Sequence, residues 1–147
     1  MIKVSKLETF CYDVGMYPNT FYRVTVKAFI TNEIGHVLVV REGNDFWSLP
    51  GGGLDHGESQ TDCLRREIME ELGVDGVVVE GLVHSKSFYL DRKDAWLLWN
   101  VYKARIDTAD FKPNDGITDA KYVDPQEYEH SNDMFEKSVF EVSKCVY

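Results

Sequence analysis

Cysteine is scarce and scattered in this chain: Cys11, Cys63 and Cys145 are its only three. An odd count without close spacing excludes a disulfide framework and a zinc-ligand pattern, and reduced thiols in a cytoplasmic protein are the expectation. Long apolar runs are also missing. No stretch approaches the length of a bilayer span, and the start, Met1 to Glu8, has no apolar segment of the signal-peptide kind. Positive charge is in deficit, with 16 basic against 25 acidic residues and a formal net charge of -9. Duplex nucleic acid binders carry the opposite balance, so neither a duplex nor a membrane is an expected partner. Internal repeats, low-complexity tracts and linkers are absent too. What remains is a chain of 147 residues, 44% hydrophobic and 28% charged. That is ordinary for one globular domain over 1–147, as a monomer or homodimer.

The coarse pattern is strands with two helices. Arg23 to Thr31 is rich in β-branched and aromatic residues, Asn32 to Gly35 reads as a turn, and His36 to Arg41 as a second strand, a hairpin in all. A glycine-rich stretch, Trp47-Ser48-Leu49-Pro50-Gly51-Gly52-Gly53, follows. Successive glycines permit backbone conformations closed to other residues and close approach to a ligand. Ser59 to Leu72 predicts a helix with Ser59 as N-cap, Asp62 in an Asp version of the capping box, and Gly73 as terminator. Val77 to Leu90 and Ala95 to Ile106 read as strands joined by the turn Asp91 to Asp94. Pro113 to Gly116 is a loop, Asp119 to Asp124 a short strand, and the tail from Pro125 onward helical, with Phe135, Val139 and Val142 on one face. The fold class is α/β (α+β), a sandwich around a mixed sheet.

The helix carries the chemistry. Leu64, Ile68 and Leu72 form its apolar stripe, while Glu67, Glu70 and Glu71 share the neighbouring face at i, i+3, i+4. Like charges at that spacing repel, so the cluster points to a bound cation, and hard divalent ions such as Mg²⁺ take oxygen ligands of this kind.

Gly52, five residues, Glu58, seven residues, then Arg66-Glu67-Ile68-Met69-Glu70-Glu71-Leu72-Gly73-Val74 resembles the Nudix box at every defining position. The lead-in Trp47 to Gly52 looks like the family's own. The resemblance implies a Nudix-type α/β/α sandwich and a hydrolase that cleaves a pyrophosphate bond in a nucleoside di- or triphosphate derivative by water attack at phosphorus. Metal ions neutralise the phosphates and acidify the water in such reactions. By resemblance Glu67 and Glu71 are ligands for Mg²⁺ (or Mn²⁺), Glu70 is a ligand or the base, and Gly52 offers its carbonyl. Arg66 pairs with a glutamate and fixes its rotamer, and Glu58 completes the metal site or supports the loop. Which glutamate is the base stays open.

Substrate contacts are expected outside the box. Arg41 ends a strand before the glycine loop and can touch a phosphate. Arg23 and Lys27 share a strand that either lines the cleft or is simply solvated. Among the aromatics, Phe46, Trp47, Phe88, Tyr89, Trp96 and Trp99 can stack on a base or fill the core. Asp115 and Asp119 lie in or near the loop where relatives place a further acidic residue, and by that resemblance either can be a metal ligand or base, or simply a loop Asp making turn hydrogen bonds. Relatives that cleave ADP-ribose tend to carry a proline where this chain has Tyr89 and Leu90, so that substrate is disfavoured. Tyr89 sits near a tyrosine typical of dinucleoside-polyphosphate hydrolases, and a coenzyme A signature is not evident. The substrate-binding set is therefore Arg41, Trp47, Tyr89 and Asp115, the partner a nucleotide-type small molecule. The alternative is a catalytically silent Nudix-fold module that binds a nucleotide or a protein. A structural calcium site lacks EF-hand spacing.

Overall fold

The computed structural model describes residues 21–146. Cys11 and the Met1 to Glu8 segment lie outside the described residues; Cys63 and Cys145 are both free thiols. Among the described residues seven strands and two helices follow in the order β1 (Tyr22–Phe29), β2 (Val37–Glu42), β3 (Trp47–Ser48), β4 (Gly51–Gly53), α1 (Gln60–Leu72), β5 (Val78–Leu90), β6 (Ala95–Arg105), β7 (Ile117–Val123) and α2 (Met134–Val146). Single 3-10 turns occupy Asp91–Lys93 and Pro125–Tyr128.

The strands form two sheets rather than one. A four-stranded mixed sheet runs β4-β1-β6-β5, with β1 and β6 parallel, and a three-stranded antiparallel sheet runs β3-β2-β7. The hairpin expected from residues 23 to 41 is therefore corrected. β1 and β2 meet only at their base, through the Thr31–Val37 bridge and the bond from Leu38 N–H to Ile30 carbonyl, then enter different sheets. The reason lies in their burial. Val26, Ala28 and Phe29 of β1 and Val37 to Val40 of β2 are all buried, so each strand needs cover on both faces. Alternation sorts them: Val26, Ala28, Leu38 and Val40 join one core with α1, and Phe29, Val37 and Val39 join a second core with α2. The α/β/α sandwich is thus present, with a core beneath each helix.

Helix α1 forms as its caps predict. The Ser59 hydroxyl accepts from Asp62 N–H at 3.1 Å, and Gly73, at φ 65°, returns its N–H to Met69 carbonyl at 2.9 Å. The Asp62 carboxylate takes the Ser59 hydroxyl at 2.8 Å rather than the cap's backbone N–H. Leu64, Ile68 and Leu72 are fully buried, each contributing about 1.5–3 kcal/mol of apolar transfer. The C-terminal tail is less continuous than its periodicity suggests. The helix starts at Met134 because the Asp133 carboxylate accepts the N–H groups of Phe135 and Glu136 at 2.8 and 3.0 Å, which separates it from the 3-10 turn at Pro125.

Candidate active site

The acidic face of α1 lies against the glycine strand. β4 pairs with β1, setting Lys27 opposite Gly51, Val26 opposite Gly52 and Thr25 opposite Gly53. Backbone closes one of these positions to any side chain, and a carboxylate crowds the next. A Cβ on Gly51, whose φ is 126°, would lie 2.1 Å from the Val26 carbonyl oxygen; one on Gly52 would lie 2.5 Å from the Glu67 carboxylate. That close approach lets Gly51 N–H donate to Glu71 Oε2 at 2.9 Å. The carbonyls of Gly52 and Gly53 face the Cys63 thiol at 3.8 and 3.5 Å.

Arg66 gathers the box residues. Its guanidinium donates to both oxygens of Glu58 at 2.7 and 3.0 Å, to Glu67 at 2.8 Å, to Glu70 at 3.2 Å and to the Gly53 carbonyl at 3.1 Å. The hydrogen bonds from Arg66 pull the Glu58 carboxyl down to about 2, and Glu58 in turn raises the guanidinium above its ordinary value. Burial pushes Glu67 upward, against the pull of Arg66. A depressed carboxyl stabilises the fold above its unfolded value of 4.5, and that contribution is lost as pH falls from there toward 2. Wild type should therefore melt above Glu58→Gln at pH 6, with the gap closing between pH 4.5 and 2. A gap constant with pH, in thermal melts across that range, would refute the assignment.

The residues after β6 complete the cluster. Lys112 N–H donates to Leu72 carbonyl and Asn114 N–H to Glu71 carbonyl, both at 2.9 Å, so the loop caps the C-terminal carbonyls of α1. This carries Asp115, at φ 54°, to the acidic face. One carboxylate oxygen from each of Glu67, Glu70 and Asp115 lies within 4.8 Å of the other two. Glu71, expected as a ligand with Glu67, accepts the N–H of Gly51, and half-buried Lys27 donates its ammonium to the carbonyl of the same glycine at 2.7 Å. Burial raises the Glu71 carboxyl to about 7, with Lys27 opposing that rise, and burial lowers the Lys27 ammonium.

Beside this cluster opens a cleft of about 290 Å³. Glu67, Glu71 and Asp115 line it together with Arg23, Lys27 and Trp99. Arg41, Trp47 and Tyr89 do not line it. Arg41 places its guanidinium 5.3 Å from the Trp47 ring centre, and Lys121 approaches the same ring at 4.3 Å. Tyr89 gives its hydroxyl to Asp94 and packs on Trp96. Asp119 accepts the N–H of Ala120, a local bond, and is also off the cleft wall. The cleft instead recruits Phe46 and Phe135, stacked at 4.2 Å, and the cations Arg92 and Lys93. Arg92 and Lys93 read as turn residues in the sequence; only the pairing of β5 with β6 aims their turn at the cleft.

Comparison with known proteins agrees with this geometry. Residues 21–142 match the family model of the NUDIX domain. The chain belongs to the NUDIX family. An RNA pyrophosphohydrolase of Ruthia magnifica is 46% identical over 54 residues, 36% of this chain and 30% of that protein. An RNA pyrophosphohydrolase of Shewanella denitrificans is 34% identical over 93 residues, 63% of this chain and 49% of that one. The chain thus spans half or less of the length of these relatives. A crystal structure of a MutT protein from Methanosarcina mazei shares the NUDIX fold with a TM-score of 0.74 at 23% identity, over 87% of this chain and 96% of that one.

Proposed function

We propose that this NUDIX protein hydrolyses a pyrophosphate bond in a nucleoside di- or triphosphate derivative, with water attacking phosphorus. The observation that carries the reading is the convergence of Glu67, Glu70 and Asp115 oxygens within 4.8 Å, with Glu67 and Asp115 on the wall of a cleft that also holds Lys27 and Arg23. Three hard oxygen donors at that spacing suit Mg²⁺ or Mn²⁺. Glu67, Glu70 and Asp115 would hold such an ion, which supplies charge neutralisation and an acidified water when bound.

The chain's own residues do the rest. Arg66 holds Glu67 and Glu58 in fixed rotamers, so the ligand oxygen is oriented before substrate arrives. Gly51 N–H holds Glu71 behind the cluster, and the charge of Lys27 opposes the rise that burial gives its carboxyl. Glu70 is exposed and, among the described residues, tied by one 3.2 Å bond to Arg66, so it serves as ligand or as base. Gly52 keeps the strand close enough for Glu67 to sit against the backbone.

The names of the curated relatives favour a second substrate, an RNA; the net charge of -9 speaks for a small nucleotide instead. One screen separates these. Nucleoside triphosphates, dinucleoside polyphosphates, a nucleoside diphosphate sugar, ADP-ribose and a 5′-triphosphorylated RNA are incubated with Mg²⁺ or Mn²⁺ and products are weighed by mass spectrometry. Turnover of small nucleotides at rates well above the RNA is expected. Binding across the panel without turnover would overturn the hydrolase reading and leave a nucleotide-binding module.

A further inference from the structure

The cleft contains four cations, and two of them are already committed. Arg23 donates to Leu54 carbonyl at 2.8 Å and Lys27 to Gly51 carbonyl at 2.7 Å, so both hold the glycine strand in place. The other two, Arg92 and Lys93, come from the turn between β5 and β6. Among the described residues Lys93 has no ion-pair partner, and the closest acid to Arg92 is Asp45 at 4.0 Å. Asp94 in the same turn is taken by the Tyr89 hydroxyl, and neither Asp91 nor Asp94 lines the cleft. The positive charge of Lys93 is felt by Lys27, which it further disfavours as an ammonium.

The turn is also braced. The Arg92 guanidinium lies 4.7 Å from the Phe46 ring centre and 5.7 Å from that of Phe135. Stacking occupies the face of a guanidinium and leaves its in-plane N–H donors free for an anion. A lysine ammonium beside it is a strongly hydrated point charge that gains little from a neutral sugar and much from a phosphate. Net charge makes the pair matter more, since a polyanion must enter a protein carrying a formal -9.

We propose that Arg92 and Lys93 are specificity residues that select substrates carrying a further phosphate beyond the scissile pyrophosphate, a nucleoside triphosphate or longer polyphosphate, over nucleoside diphosphate sugars. This rests on the hydrolase reading above. The charge difference acts in binding, so it belongs in KM and falls with salt.

The test compares a nucleoside triphosphate with a nucleoside diphosphate sugar for wild type, Lys93→Ala, Lys93→Glu and Arg92→Gln, with Mg²⁺ present. Lys93→Glu should raise KM for the triphosphate about tenfold to a hundredfold. KM for the diphosphate sugar should stay within about twofold, and kcat for both should hold. Arg92→Gln should act in the same direction, and because it also removes the stack on Phe46, the exposed Lys93 variants carry the decision. Equal shifts for both substrates, or none for the triphosphate, would overturn the proposal. If wild type hydrolyses neither, the hydrolase reading is decided by the full panel above, and the pair is judged by binding a non-hydrolysable triphosphate analogue, followed by tryptophan fluorescence. Tenfold weaker binding to Lys93→Glu upholds the anion site; equal binding overturns it.

Discussion

Glu67→Gln should lower kcat by roughly 10²–10³-fold, the several kcal/mol expected when a metal-site ligand loses its charge. The substitution keeps shape and removes only the anion. Glu67 is the residue on which the site converges. It is buried at 9% exposure, accepts Arg66 at 2.8 Å and presents an oxygen to Glu70 and Asp115. A carboxamide can still accept from Arg66, so the melting temperature should change little while turnover collapses. Asp115→Asn should behave the same way, because it supplies the third oxygen from a separate loop. Steady-state kinetics with saturating Mg²⁺ decide the matter. A loss of less than about tenfold in Glu67→Gln would exclude this residue from a metal-assisted step.

Adjacent glycines should respond to the same methyl group in opposite ways. In Gly51→Ala the new Cβ meets backbone, 2.1 Å from Val26 carbonyl oxygen, and the φ of 126° is itself closed to alanine. Strain and overpacking together should cost about 2–5 kcal/mol, a fall in Tm on the order of 10 °C. In Gly52→Ala the Cβ meets the Glu67 carboxylate at 2.5 Å, the far end of a side chain that can swing. Stability should then change by less than about 1 kcal/mol, whereas activity should fall at least tenfold because the ligand is displaced. Thermal melts and kinetics on the two variants give a crossed pattern. If Gly52→Ala retained full activity, the close seating of Glu67 against the strand would have no catalytic role.

Much of this was legible from the sequence where the signal is local. The helix from Ser59 to Gly73 could be read because its caps and its two stripes lie within one turn or two of each other. The box positions could be read for the same reason. What escaped depends on contacts distant in the chain. The split of β1 and β2 into separate sheets follows from burial on both faces, which a turn signal at Asn32 to Gly35 does not report. Arg41 and Trp47 were expected at the substrate; their pairing on β2 and β3 turns them toward each other instead. Tyr89 and Arg92 lie three positions apart, yet one packs on Trp96 and the other lines the cleft. Asp115 was a candidate from its loop, but its meeting with Glu67 and Glu70 spans a chain separation of more than forty residues, which local spacing does not report.

The hydrogen bonds that bring Asp115 to the helix are made by backbone groups, the N–H of Lys112 and of Asn114 on the carbonyls of Leu72 and Glu71. Amide groups are the same in nearly every residue. The side chains at 112 and 114 can therefore change freely with no effect on the delivery of the carboxylate, proline excepted because it has no N–H to give. Loop length has no such freedom: inserting or deleting one residue between 112 and 115 moves the acid off its partners. In this protein the spacing between helix end and Asp115 is the heritable quantity, and the intervening letters are not.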